Sequence, residues 1–209
     1  SKKKLSSTAG AGKIFSSFQL WYSHQLDVRP IFTKCASAGI VAGFGNLLAQ
    51  RLMWDTDGKG QFVIDWKQAG RFVVINIIFV APCLHHWYNW LSAAMPGKSI
   101  APVLKRVFVD EFIFTPVYVP TFMGLLWSFE GNKFEDIPHM IREEWLNIMI
   151  FDWCVYIPVQ FFNFRYNPVK YQVLVMNLVG VGWSCFISWR AQRQNDKNTS
   201  IEREEDEGK

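Results

Sequence analysis

Six polar or ionisable residues interrupt long apolar stretches of this chain and are its candidates for chemistry. They are His85, Asp110, Glu111, Asp152, Gln160 and Asn163. A carboxylate within a segment that crosses a bilayer is costly against lipid, so these side chains are expected to line a polar cavity that faces protein or water. No nucleophile–base pair, metal cluster or phosphate-binding loop accompanies them. We therefore expect no enzyme activity, no catalytic residue, no cofactor and no metal.

The segment that contains Asp152 has the length and composition of a membrane-spanning helix. Residues 145–168 are mostly apolar and aromatic, and about 20 residues suffice to cross the hydrocarbon core. Backbone polar groups in lipid must be paired within the segment, so a helix is predicted. Pro158 lacks a backbone donor and is predicted to kink this helix.

The preceding candidate span, residues 103–127, has charged residues in its first part and two prolines after them. Arg106 and Asp110 lie one helical turn apart and can pair. Irregular backbone, expected near Pro116 and Pro120, is tolerated at membrane depth only where protein or a water-filled cavity covers it. Two interpretations stay open: the charges reach the membrane surface, or Asp110 and the glutamate after it line a polar cavity.

Other apolar blocks of suitable length occur at residues 31–53, 70–91 and 171–189. The short break before the last block leaves four and five spans both open. Residues 14–26 form an aromatic, amphipathic stretch that predicts a helix at the membrane interface. The predicted fold is an all-α membrane bundle of four to five spans, with kinked, proline-containing helices and this interfacial helix at its N-terminus.

The predicted domain organisation is one membrane domain, residues 14–189, between a basic tail, residues 1–13, and a charged tail, residues 190–209. Residues 54–70 are rich in turn formers and predict a loop. Residues 130–144 carry charges of both signs and predict a loop with a short surface helix. The net charge is only +4, without a basic and aromatic platform, so we expect no nucleic-acid partner.

Small residues on one helix face predict close helix packing. Gly39 and Gly43 form a GxxxG pattern in the first span, which lets a second helix approach closely. That helix can belong to the same chain or to another one. The partners expected are therefore the lipid bilayer and either other membrane subunits or a second copy of the chain.

His85 lies with His86 in an aromatic cluster at the end of the second span. Adjacent residues do not share a helix face, which disfavours a metal site formed by this pair. Hydrogen bonding at the membrane interface, where Trp and Tyr concentrate, is the favoured role. His85 also remains a candidate for lining the polar cavity.

Short blocks of residues follow one another along nearly the whole chain between its tails. They are Trp21, Tyr22, Leu26, Pro30 and Thr33; Gly45, Asn46, Ala49 and Gln50; Asp65, Trp66 and Arg71; Pro82, His85, Trp87, Tyr88 and Leu91; Lys105, Asp110 and Pro116; Trp153, Pro158, Gln160, Asn163, Phe164 and Pro168; and Trp183 and Ser188. In this order and spacing they resemble the peroxisomal 22-kilodalton membrane proteins, also called the Mpv-seventeen family.

The chain departs from the pattern of that family at five positions. The chain has Asn46 where the family pattern has Asp, Ala81 where it has Gly, and Glu111 where it has Gln. It also has Ile157 where the pattern has Trp and Gln172 where the pattern has Arg. Asn46 and Gln172 each remove a charge, and the two charges are of opposite sign. We therefore expect these two residues to lie in contact, as neutral replacements of a buried ion pair.

The resemblance implies a non-catalytic protein of an organelle membrane, with about four spans, that forms a channel for small solutes or metabolites. The alternative is an accessory, structural subunit of a larger complex of the mitochondrial inner membrane, which the five departures favour. The basic, acid-free N-terminus predicts the mitochondrial inner membrane as the location, with the peroxisomal membrane as the alternative.

Overall fold

A computed structural model describes residues 16–57, 63–183 and 185, with residues 53–57 described by their backbone alone. The secondary structure of this part is helical, without strands, which confirms the all-α prediction. The helices are α1 (residues 16–28), α2 (Pro30–Asp57), α3 (Trp66–Ile75), α4 (Ala81–Ala94), α5 (Ile100–Val109), α6 (Thr115–Glu130), α7 (Ile137–Tyr166) and α8 (residues 169–183). Two π-helical turns, Asn76–Val80 and Asp110–Phe114, join α3 to α4 and α5 to α6.

Within the described residues, four helical units are long and apolar enough to cross a membrane. They are Pro30–Leu52, Trp66–Ala94, Ile100–Glu130 and Ile137–Tyr166. Large apolar side chains such as Phe32, Ile40 and Phe44 point outwards from the bundle, as contact with lipid requires. α8 packs beside α2, because a Cβ added to Gly45 would lie 3.1 Å from Val181.

Local side-chain and backbone chemistry fixes where several helices begin and end. The carboxylate of Asp65 caps α3 by accepting a bond from the third backbone N–H after it. The side-chain amide of Gln50 bonds both backbone groups of Asp65, at 2.8 and 3.0 Å, and so joins the end of α2 to the start of α3. Gly131, with φ of +93°, ends α6 in the left-handed conformation. Asn167 ends α7 in the extended conformation that a residue before proline prefers.

Each π turn ends just before a proline. Pro82 and Pro116 follow the two turns by two residues, and the intervening Ala81 and Thr115 donate to the carbonyl five residues earlier. A proline has no N–H, and its ring clashes with the carbonyl four residues before it. A wider turn relieves both problems without breaking the helix. The backbone near Pro116 is therefore irregular, but it stays helical.

Three expectations from the sequence need correction. Residues 130–144 do not form a separate surface helix, since α7 runs without a break from Ile137 to Tyr166. Its first turn is held in the bundle because Ile137 packs beside Gly124 of α6. The loop expected at residues 54–70 is shorter, because α2 reaches Asp57 and α3 begins at Trp66.

The α-helix also continues through Pro120, where irregular backbone was expected, and Pro158 likewise lies inside α7. The sequence shows a missing donor at each position, but the packing of the neighbouring helices decides whether the helix continues. α1 covers most of the stretch expected to form an interfacial helix, and its Phe18, Leu20 and Trp21 are exposed. The tails, residues 1–13 and 190–209, lie outside the described residues.

The GxxxG face of α2 packs within the chain. A Cβ added to Gly39 would lie 2.8 Å from Ile77, and one added to Gly43 would lie 3.0 Å from Val73. Both distances are shorter than ordinary carbon contacts. The two glycines therefore allow α2 to approach α3 and the first π turn closely.

We expect Gly39→Leu to destabilise the bundle by about 1–3 kcal/mol, because the added side chain would overpack the contact with Ile77. Thermal unfolding of the purified protein in mild detergent measures the change. Gly70→Leu is the matched control, since a Cβ at Gly70 meets nothing within 4 Å. Equal midpoints for the two variants would contradict this assignment of the helix contact.

Candidate functional site

A polar cavity of about 110 Å³ lies in the interior of the bundle. α2, α3, α4, α6, α7, α8 and both π turns contribute to its wall. Its polar lining residues are Asn76, Tyr88, Asp110, Glu111, Thr115, Tyr118, Asp152, Tyr156, Gln160 and Asn177. No lysine, arginine or histidine is among the described residues that line it. The described lining thus carries three carboxyl groups and no positively charged side chain.

The carboxyl group of Asp110 is fully hydrogen-bonded. Trp87 Nε1 donates to Asp110 Oδ1 at 2.6 Å, and Gln160 Nε2 donates to Asp110 Oδ2. Gln160 Nε2 also donates to the hydroxyl of Tyr88 at 2.8 Å. These bonds connect α4, the second π turn and α7 in the interior of the bundle. A buried polar group is stable there because each of its acceptors has a donor.

A second layer of amides lies next to this group, towards the end of α7. Asn163 donates to Gln160 Oε1 at 3.1 Å and accepts a bond from Asn167. It also donates to the backbone carbonyl of Gln172 in α8, whose own amide donates to the carbonyl of Asn167. Asn163 is therefore in the polar network but is not among the residues that line the cavity. The layer joins α7 to α8.

Glu111 and Asp152 have a different environment from Asp110. Their carboxyl groups lie near each other, one on the second π turn and the other on α7, and both line the cavity. Glu111 Oε2 and Asp152 Oδ2 are buried without a hydrogen-bond partner in the described part of the chain. Asn177 Nδ2, on the α8 side of the cavity, is also buried without a hydrogen-bond partner in the described part of the chain. The cavity thus offers unused acceptors and an unused donor.

The second π turn helps to place two consecutive acids in the interior. Asp110 and Glu111 are only 2% and 1% exposed, although neighbouring residues on a regular helix point about 100° apart. The turn is wider than an α-helical turn, and both side chains line the cavity. The structure therefore brings together Asp110, Glu111, Asp152 and Gln160 from the six sequence candidates.

His85 does not line the cavity, which corrects one expectation. Its ring nitrogen Nδ1 lies 2.9 Å from Lys34 Nζ of α2. Leu84 and Tyr88, one turn apart on α4, line the cavity instead, and His85 lies on a different face of that helix. The sequence reasoning missed Lys34, which is only 3% exposed. The signal was available, because Lys34 is the one charged residue in an otherwise uncharged stretch from Ile31 to Gln50.

Arg106 does not pair with Asp110. Its guanidinium group donates to the backbone carbonyls of Met95 and Gly97, in the turn between α4 and α5. These carbonyls have no partner within a helix, and a guanidinium fork can bond more than one of them. Arg106 therefore secures the turn, while Trp87 and Gln160 supply the donors for Asp110.

Asn46 and Gln172 are both buried, but they do not meet. Asn46 accepts a bond from Gln50 at 2.7 Å, whereas Gln172 donates to the carbonyl of Asn167. Asn46 is next to Gly45, which contacts Val181. Nine residues of α8, about 13 Å along the helix, separate that contact from Gln172. The proposed replacement of an ion pair is wrong, because the two positions lie at different depths of the bundle.

Comparisons with known proteins place this architecture among membrane proteins. Residues 128–188 match the model of the Mpv17 / PMP22 family. The chain is 31% identical to PXMP2/4 family protein 2 of Dictyostelium discoideum, with 81% of this chain and 90% of the relative covered. It is 25% identical to mitochondrial inner membrane protein Mpv17 of Danio rerio (83% and 98% covered). It is 26% identical to peroxisomal membrane protein 2 of Bos taurus (88% and 95% covered). No solved structure matches the chain.

We expect Gln160→Met to lower the midpoint of thermal unfolding. The variant keeps a similar volume but leaves Asp110 Oδ2 and the Tyr88 hydroxyl without their donor. Each buried group left unpaired costs about 1–3 kcal/mol. Intrinsic tryptophan fluorescence of the protein in detergent measures the midpoint. Gln19→Met, on the exposed face of α1, is the control, and an equal effect of both changes would refute a structural role of this network.

Proposed function

The chain belongs to the Mpv17 / PMP22 family of integral membrane proteins, and from this premise we propose that it is a channel for small solutes. Its relatives include proteins named for the mitochondrial inner membrane and for the peroxisomal membrane. The predicted location, the mitochondrial inner membrane with the peroxisomal membrane as alternative, agrees with those names. We place the proposed channel in the mitochondrial inner membrane.

The cavity with Asp110, Glu111 and Asp152 is the observation that supports the proposal. Ionisable residues within membrane spans are expensive, and they commonly mark a path for ions or solutes. Here they lie on helices whose outer surfaces are apolar, and they surround an interior space. A space of this kind offers a route through the bundle once the conformation opens at both ends.

The charges of the lining favour positively charged solutes. The described lining has three carboxyl groups and no cationic side chain, and clusters of carboxylates favour cations over anions in pores. The proposed role is non-catalytic and needs no cofactor. The lining hydroxyls belong to Thr115 and to tyrosines, and no histidine or cysteine is among the described lining residues, so no activated nucleophile faces the cavity.

One observation favours the second candidate function, that of a structural subunit. Asp110, Gln160 and Asn163 form direct hydrogen bonds with one another or with their neighbours. Such a satisfied network can serve as a rigid core that fixes the helix positions. In that role the chain would act inside a larger membrane complex, and the cavity would conduct nothing.

Reconstitution into planar lipid bilayers tests the channel. We expect the wild type to conduct, with a preference for cations over anions. Glu111→Gln and Asp152→Asn should each lower the cation-to-anion permeability ratio several-fold, because each removes a carboxyl group from the lining. Glu135→Gln, on the exposed turn between α6 and α7, should leave the ratio unchanged.

Silent bilayers from well-folded protein would overturn the channel proposal. Native electrophoresis in mild detergent then tests the structural role. Migration of the chain in a stable complex with other subunits would support the accessory function, and migration as a free monomer would count against it. An equal change of selectivity in Glu135→Gln and the two cavity variants would show that the cavity does not set it.

A further inference from the structure

We propose that the cavity binds a small organic cation, with its ammonium group between the carboxyl groups of Glu111 and Asp152 and the aromatic rings of Tyr156 and Trp183. The inference rests on the proposed solute path and names the chemical class of its substrate. It follows from three independent features of the cavity: its charge, its unpaired polar atoms and its aromatic walls.

The carboxyl groups of the cavity favour a positively charged ligand. Three carboxyl groups line the cavity, and a buried carboxyl group that gives up its proton is stable only when a cation pairs with it. The buried cations of the spans are engaged elsewhere: Lys34 contacts His85, and Arg106 bonds backbone carbonyls of the turn between α4 and α5. A cation that enters the cavity therefore supplies the opposite charge that the described lining lacks.

The unpaired atoms show where the ligand would bind. Asp110 has donors for both oxygens and serves as an anchor of the helices. Glu111 Oε2 and Asp152 Oδ2 have no hydrogen-bond partner among the described residues, although the exposed fractions of these residues are only 1% and 4%. These two oxygens are the acceptors for an ammonium group. The unpaired Asn177 Nδ2 can donate to a hydroxyl oxygen elsewhere on the same ligand.

The aromatic walls favour an organic cation over an inorganic one. The rings of Tyr156 and Trp183 lie 6.0 Å apart at 71° to each other, and both residues line the cavity together with Tyr88 and Tyr118. Aromatic faces attract alkylammonium groups by cation–π interaction. A metal ion needs several well-placed ligands instead, and no group of three or more His, Cys, Asp or Glu in the described residues is arranged to hold one.

The volume limits the ligand to a small molecule. The cavity measures about 110 Å³, and an apolar protein cavity of about 150 Å³ holds benzene. This space is smaller, so a compact cation of about four heavy atoms is the class that fits. Ethanolamine, which is protonated at neutral pH, is a suitable probe, because it combines an ammonium group that has N–H donors with a hydroxyl group.

Calorimetric titration of the protein in lipid nanodiscs tests the proposal. The two ligands are ethanolamine and its uncharged analogue 1-propanol, in which a carbon atom replaces the nitrogen. We expect the wild type to bind ethanolamine at least tenfold more tightly than the analogue. Glu111→Gln and Asp152→Asn should each weaken ethanolamine binding about tenfold, while Glu135→Gln should leave it unchanged. Tyr156→Leu should weaken binding of ethanolamine more than binding of the analogue.

Equal affinity of the wild type for the two ligands, or no binding of ethanolamine, would overturn the proposal without reference to any variant. Displacement of ethanolamine by an equal concentration of potassium would overturn the organic class. Bilayers that conduct while ethanolamine does not bind would refute this inference and leave the channel proposal standing. Ethanolamine binding to a protein that is silent in bilayers would support the site and refute the channel.

Discussion

The hydrogen bonds of Asp110 are the interaction on which the rest of the structure depends. A carboxyl group inside a membrane protein is costly unless protein donors surround it, and here Trp87 and Gln160 provide them. These donors fix the rotation of α4 and α7 relative to the second π turn. Tyr88 and Phe164 then pack ring against ring in the same core, with their centroids 5.7 Å apart. The apolar packing and the polar network thus support one arrangement of the helices.

A π turn followed by a proline occurs in each of two neighbouring spans. Asn76 opens the first π turn and Asp110 the second, 34 residues later, and the same spacing separates Pro82 from Pro116. Both first residues line the cavity. The two spans run in opposite directions, since Phe79 of one stacks with Tyr118 near the start of α6 while Trp87 reaches back to Asp110. A helix, a widened turn and a proline therefore occur in both spans, in opposite orientations, beside one cavity.

The sequence predicts the fold class and the buried acids of the cavity because both follow from the nature of the bilayer. Apolar runs of sufficient length must be helices, and intramembrane acids such as Glu111 and Asp152 must avoid lipid. The side chains of His85 and Arg106 could not be placed in this way. Their partners depend on how each helix is rotated about its axis, and that rotation is set by the neighbouring helices. A π turn adds to the difficulty, because it shifts the phase of every residue that follows it.

The carboxyl groups of the cavity differ in their hydrogen bonds and therefore in their roles. Each oxygen of Asp110 accepts a hydrogen bond, so Asp110 contributes to the stability of the bundle. Glu111 and Asp152 keep unused oxygens, so a ligand can approach them without breaking the bonds of Asp110. The amide layer of Asn163 and Gln172 joins α7 to α8 beside the cavity and packs without exposure to solvent. This layer is bonded to Gln160, which lines the cavity, so the contact between α7 and α8 and the position of the Asp110 network depend on the same amide.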